Sequence, residues 1–117
     1  MESNKKAAVS GEGGRKVKRV INGKRYDTET ATLMGDAGHS YPSDFEYWRE
    51  ELYRKKTGEF FLHGWGGPRS GYARRTGQNE WCSGEQIIPL SLKEAQEWAE
   101  TYLDADEYEE IFGPVEE

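Results

Sequence analysis

A chain of 117 residues is one domain's worth, and at 34% apolar and 32% charged residues it has a thin core. Four Trp, seven Tyr and four Phe exclude a wholly disordered chain, because each ring fills a large buried volume. The single cysteine, Cys82, excludes an intrachain disulfide, and no apolar run approaches membrane-spanning length. With no apolar leader segment at its start, the chain reads as cytoplasmic.

The net charge of −6 is unevenly spread. Residues 1–25 hold eight lysines and arginines against two acids, whereas residues 91–117 hold ten acids against Lys93 alone. Such end-to-end asymmetry marks either interaction surfaces or solvated faces. Residues 1–16 are rich in Gly, Ser, Lys, Glu and Ala, show no period and read as a disordered basic arm. Residues 17–113 read as a single α+β domain, and 114–117 as an acidic tail.

The strongest local signal is Lys18–Ile21, Asn22-Gly23, Lys24–Asp27. Asn-Gly is favoured in a type I′ turn, where both central residues need positive φ, so a two-residue hairpin is predicted. Thr28 to Gly35 carries a cap and a C-terminal glycine, which predicts one or two helical turns covering part of a sheet. Residues 35–44 read as loop. From Phe45 the period becomes two, with Arg49, Glu51 and Tyr53 on one face and Trp48, Glu50 and Leu52 on the other. Thr57-Gly58 interrupts, and the pattern resumes at Glu59, which predicts a second hairpin with strands near 48–56 and 59–65. Its apolar residues lie on both faces, so part of it should be covered from both sides. Residues 64–84 are rich in glycine and read as a long functional or disordered loop, or as a missed short helix at 72–75. A last strand is predicted over 85–90, with Pro89 at its end or edge.

The C-terminus is helical. Ser91 and Glu94 form a capping box, and Leu92, Ala95, Trp98, Ala99, Tyr102 and Leu103 make one apolar stripe. Asp104 and Glu107 repeat the box, and Gly113-Pro114 stops the second helix. Strands followed by helices predict an α+β fold: a small antiparallel meander of four to five strands, with two hairpins, packed against C-terminal helices.

Three segments resemble a group of short bacterial proteins associated with phages and mobile genetic elements. They are Ile21–Ala31 (INGKRYDTETA), Glu51–Gly64 (ELYRKKTGEFFLHG) and Ile87–Ser91 followed by Glu94, Ala95 and Trp98. The resemblance spans roughly residues 20–113. It implies an accessory role in a mobile element and brings no catalytic residues with it.

No catalytic set stands out from the residues. Cys82 in the glycine-rich loop and His63 at a strand end are the pair an enzyme would use, but a thiolate mechanism needs them in contact. His39, His63 and Cys82 lack metal-ligand spacing, and Asp104 to Glu110 lack the turn of a calcium loop. No metal or cofactor is therefore expected. The run Gly64-Trp65-Gly66-Gly67 lacks the ending of a phosphate loop and reads as a place of close backbone approach.

Two groups remain as binding candidates. One is Trp65, Arg69, Tyr72, Arg74, Arg75 and Trp81, a composition that serves protein interfaces and single-stranded nucleic acid alike. The other is the acidic helical face with Glu97, Glu100, Glu107 and Glu110. The reading is a small non-enzymatic protein-interaction factor, an inhibitor or accessory of a mobile element, whose partner is another protein with a basic surface. A nucleic-acid binder using the arm and the Arg/aromatic loop is the first alternative, and an enzyme using Cys82 and His63 the second. No membrane partner is expected, and the sequence is silent on oligomeric state.

Overall fold

The structure is a computed structural model and describes residues 16–117. The arm expected over 1–16 therefore lies outside the described residues, except for Lys16. Eight strands and two helices follow one another: β1 (Lys18–Ile21), β2 (Lys24–Asp27), β3 (Thr32–His39), β4 (Trp48–Arg54), β5 (Phe60–Gly66), β6 (Arg74–Gly77), β7 (Glu80–Cys82), β8 (Gly84–Leu90), α1 (Leu92–Tyr102) and α2 (Ala105–Phe112). β3, β4, β5 and β8 form one antiparallel sheet in that order, and β1–β2 and β6–β7 are separate two-stranded hairpins. The α+β meander packed against C-terminal helices is thus the observed fold.

The Asn22-Gly23 turn has φ of 53° and 79°, the two left-handed residues that the type I′ turn requires. Both capping boxes form: Ser91 and Glu94 bond reciprocally at the start of α1, and Asp104 and Glu107 do so at the start of α2.

Alternation in β4 and β5 gives the central sheet two apolar faces, and each is covered. On one face Leu52, Phe60 and Leu62 pack against Ala95, Trp98 and Ala99 of α1 and Ile111 of α2. On the other, Tyr53, Phe61 and Ile87 pack against Val17 and Tyr26, so the β1–β2 hairpin is the opposite cover. Phe61 is wholly buried and meets Tyr26 edge-on at 5.5 Å and Tyr53 in a stack at 5.3 Å. Burying a Leu or Phe side chain contributes roughly 1.5–3 kcal/mol. The expected two-sided cover of the second hairpin is therefore real, and the molecule has three layers: basic hairpin, sheet, acidic helices.

Two expectations are corrected. Thr28 to Gly35 is not a helix. The Ala31 amide does bond the Asp27 carbonyl at 3.1 Å, and the Asp27 carboxylate caps the Glu29 amide at 2.9 Å, but the turn stops there. Thr32 then enters β3, the edge strand of the sheet, where a loop had been expected from residue 35. A register shift between Leu33 and Gly35 lets Leu33 face the hairpin while Met34 and Ala37 face the helices. That bulge breaks the period-two signal, and Gly35 and Gly38 weaken it further. The long glycine-rich loop, in turn, is mostly strand. Gly64, Trp65 and Gly66 finish β5, and residues 74–82 form the β6–β7 hairpin with Asn79 at φ 67°.

Candidate functional site

Two connections meet at one end of the sheet. The β3–β4 loop, residues 40–47, and the segment after β5, residues 67–73, are stitched together by backbone bonds. Gly67 donates to the Tyr47 carbonyl at 2.8 Å, and Arg69 donates to the Phe45 carbonyl at 2.7 Å. Within the first loop Ser40 donates to the Asp44 carboxylate at 2.5 Å, and the Glu46 amide donates to it at 2.9 Å. These bonds, the Ser40 hydroxyl first, hold the Asp44 carboxyl below the usual carboxylate range. The segment after β5 crosses the sheet closely. The Tyr72 ring lies where a Cβ on Gly64 would stand, and the Tyr72 carbonyl does the same at Gly84. This is the close approach that the glycines of this stretch permit.

The two stitched loops enclose a cleft of about 720 Å³. Tyr47 and Trp65, both buried, line its interior, and Phe45, 62% exposed, stands at its mouth. Arg19 of β1 and Arg74 of β6 line it from the flanks, together with Asp44 and Glu85. The Arg19 guanidinium donates only to the carbonyl of its neighbour Lys18, at 3.2 Å, and Arg74 meets the Cys82 sulfur at 3.8 Å. Among the described residues neither guanidinium has a carboxylate partner.

Behind the cleft runs a row of ionisable groups on the hairpin-facing side of the sheet. His63 is fully buried. Its Nε2 lies 2.7 Å from Glu85 Oε2, and its Nδ1 lies 3.4 Å from Glu51 Oε1. Glu51, also buried, accepts the Tyr53 hydroxyl at 3.0 Å. Burial foremost, and then the Glu51 charge, push the Tyr53 phenol well above its ordinary range. A neutral imidazole donates from one nitrogen only, so bonding both carboxylates calls for a proton on each nitrogen or on one of the carboxyls. The Trp65 ring packs on His63 at 4.8 Å, so the row supports the cleft from within.

On the helix-facing side Glu50 accepts two bonds, from Trp98 Nε1 at 2.7 Å and from the Tyr72 hydroxyl at 2.6 Å. Burial and the Glu50 bond push the Tyr72 phenol well up.

The residues singled out in the sequence therefore separate. Trp65 and Tyr72 are buried, whereas Arg69, Arg74, Arg75 and Trp81 are exposed. Arg75 and Trp81 face each other across β6–β7, with the guanidinium 5.9 Å from the ring centre. Glu97, Glu100, Glu107 and Glu110 are all exposed, and Glu107 is engaged in its capping box. Cys82 sits beside Arg74, and the ring nitrogens of His63 face glutamates. Sequence reasoning missed Glu51 and Glu85, and it read Arg19 only as one of several basic residues near the N-terminus that could meet phosphates. The period-two pattern did put Glu51 on the Tyr53 face, and an acid at the centre of a covered strand was the available signal. Arg19 and Glu85 are recognisable only once β1 is known to cross the sheet near β8.

No protein-family model, curated protein or solved structure matches this chain. Among the described residues no helix is long and apolar enough to cross a membrane.

Proposed function

We propose that the protein is a small non-enzymatic interaction module that holds a partner protein in the cleft between β1, the β3–β4 loop and β6. The observation that carries this reading is the pair Arg19 and Arg74, two guanidiniums beside a concave aromatic surface with no carboxylate partner among the described residues. Guanidiniums pair carboxylates in a fixed fork geometry, and aromatic and Arg side chains dominate interface energetics. The partner segment that fits is an exposed loop or terminus with an acidic residue beside an apolar one. The stitched backbone of the two loops favours binding, because little ordering cost remains.

The row behind the cleft supports a non-catalytic reading. A general base must reach its substrate, and both ring nitrogens of the fully buried His63 face carboxylates. An accessory role in a mobile element fits the resemblance of residues 20–113, and such a role is cytoplasmic. Nucleic acid is the second reading, because phosphates also pair with guanidiniums. The ten acids of residues 91–117 count against it, because nucleic acid brings a charge with every phosphate whereas the partner segment brings a single acid to the two arginines.

The test is a pull-down from the source cell with wild type and with Arg19→Glu/Arg74→Glu, each with and without nuclease. A protein captured after nuclease treatment by wild type and lost with the double variant is the expected result. Capture that vanishes with nuclease would transfer the cleft to nucleic acid.

A further inference from the structure

A second concave surface lies on the opposite layer. Where α1 meets α2, a groove of about 400 Å³ is lined by Ala99 and Leu103 of the first helix and its cap, Tyr108 of the second, and Val115 of the tail. Gly113 takes φ of 96° and ends α2, and Val115 in the tail beyond it lines the groove while 56% exposed. Glu100, Asp104 and Glu109 rim this apolar floor.

The charge around the groove is the second feature. No lysine or arginine is among its lining residues, and neither helix has a basic residue in its last turn. The groove therefore combines an apolar floor with an acidic rim.

We infer that this groove docks a basic amphipathic helix of a partner protein, its apolar face against Leu103, Tyr108 and Val115 and its lysines or arginines toward Glu100 and Glu109. Helix-in-groove recognition uses apolar anchors at i, i+3/i+4 and i+7 with charges alongside. Charge complementarity selects this occupant. Among the described residues, the basic surfaces of a second copy are the β1–β2 hairpin, with Val20 exposed, and the β6–β7 hairpin, with Trp81 exposed beside Arg75; each offers one exposed large apolar residue and neither is a helix with apolar anchors a turn apart. This site is separate from the cleft of the proposed function, and either can fail without the other.

The experiment uses the full chain and three labelled helical peptides of about four turns each. One is an amphipathic Lys/Leu peptide, one has the same composition scrambled, and one is an amphipathic Glu/Leu peptide. Fluorescence anisotropy at ~0.15 M salt, where exposed charges are substantially screened, compares them. The amphipathic basic peptide should bind at least about tenfold more tightly than the scrambled one, and the acidic peptide should not bind. Glu100→Lys/Glu109→Lys and Val115→Asp should each weaken binding by about tenfold. Amide shifts in wild type should cluster at Leu103, Tyr108 and Val115, a readout that does not depend on how the variants fold. Equal binding of the scrambled peptide, no effect of either variant, shifts confined to another surface, or no binding at all would overturn the inference.

Discussion

Replacing Trp98 by alanine tests the joint that fixes the helical layer to the sheet. The ring is 8% exposed, packs among Leu52, Ala95 and Ile111, and meets Tyr102 at 5.4 Å. Its Nε1 donates to Glu50, which also holds the Tyr72 hydroxyl. Truncating a buried aromatic costs roughly 3–5 kcal/mol through lost burial and the cavity left behind. A domain of this size has about 5–15 kcal/mol in all, so Trp98→Ala should take a large share of it. Trp98→Phe separates the two contributions. It keeps most of the ring but leaves Glu50 one donor short, which costs about 1–3 kcal/mol. Urea titration followed by far-UV circular dichroism gives both numbers. The predicted order is wild type above Trp98→Phe above Trp98→Ala, with unchanged slopes. An alanine variant within about 1 kcal/mol of wild type would refute the packing argument, because it would mean that the ring adds little to the core.

Two further outcomes follow from the polar groups. His63→Ala should destabilise by at least about 1–3 kcal/mol, because it leaves buried Glu51 without the ring that faces it, and a urea midpoint equal to wild type would show that Glu51 and Glu85 tolerate its absence. At the far end of the hairpin Lys24 and Lys55 bond Glu59 at 2.6 and 3.0 Å, and these bonds, Lys24 first, lower its carboxyl from 4.5 to about 2. A depressed carboxyl stabilises the fold above its ordinary range and loses that contribution as pH falls from about 4.5 through about 2. Because Glu59 is exposed, the effect is small and fades with salt. Thermal melts across that window should bring wild type and Glu59→Gln together at the acid end, and a gap that stays constant with pH would contradict the assignment.

How far the fold could be read in advance depended on whether local signals and tertiary contacts agreed. The Asn22-Gly23 turn, the β4–β5 alternation and the two capping boxes are local devices, and each forms where the sequence places it. β3 depends on its neighbour. Its two glycines and its bulge disfavour an isolated strand, and only pairing with β4 makes it one. The same competition decides Thr28 to Ala31, where a genuine cap starts a turn that the edge of the sheet then ends. Of the candidate cleft, the aromatic and arginine content was legible, but the division of labour was not. Tyr72 went to the interior because Gly64 and Gly84 let the chain pass close over the sheet, and Trp65 because the alternation of β5 puts it on the covered face beside His63, leaving Arg74 to the surface. Arg19, which lines the same cleft as Arg74, comes from the start of the described residues.

The charge asymmetry along the chain becomes an asymmetry through the molecule. Lys18, Arg19, Lys24 and Arg25 sit on the hairpin that covers one side of the sheet, and the acidic helices cover the other. The hydrophobic faces demand two covers of any charge, so packing alone does not dictate this separation. Two bonds that could have blurred it are local: Lys24 and Lys16 pair with Glu59 and Glu29 on their own side of the sheet. The outer surfaces of the two layers therefore present opposite potentials, a layer apart, to anything that approaches. A partner with an acidic segment is steered toward the hairpin side, where Arg19 and Arg74 flank the cleft, and a basic one toward the helices, where the groove at Val115 opens. The proposed cleft and groove therefore share one expected outcome: raising salt should slow association at each while leaving its apolar contacts in place, and association rates that do not change with salt would contradict the steering argument.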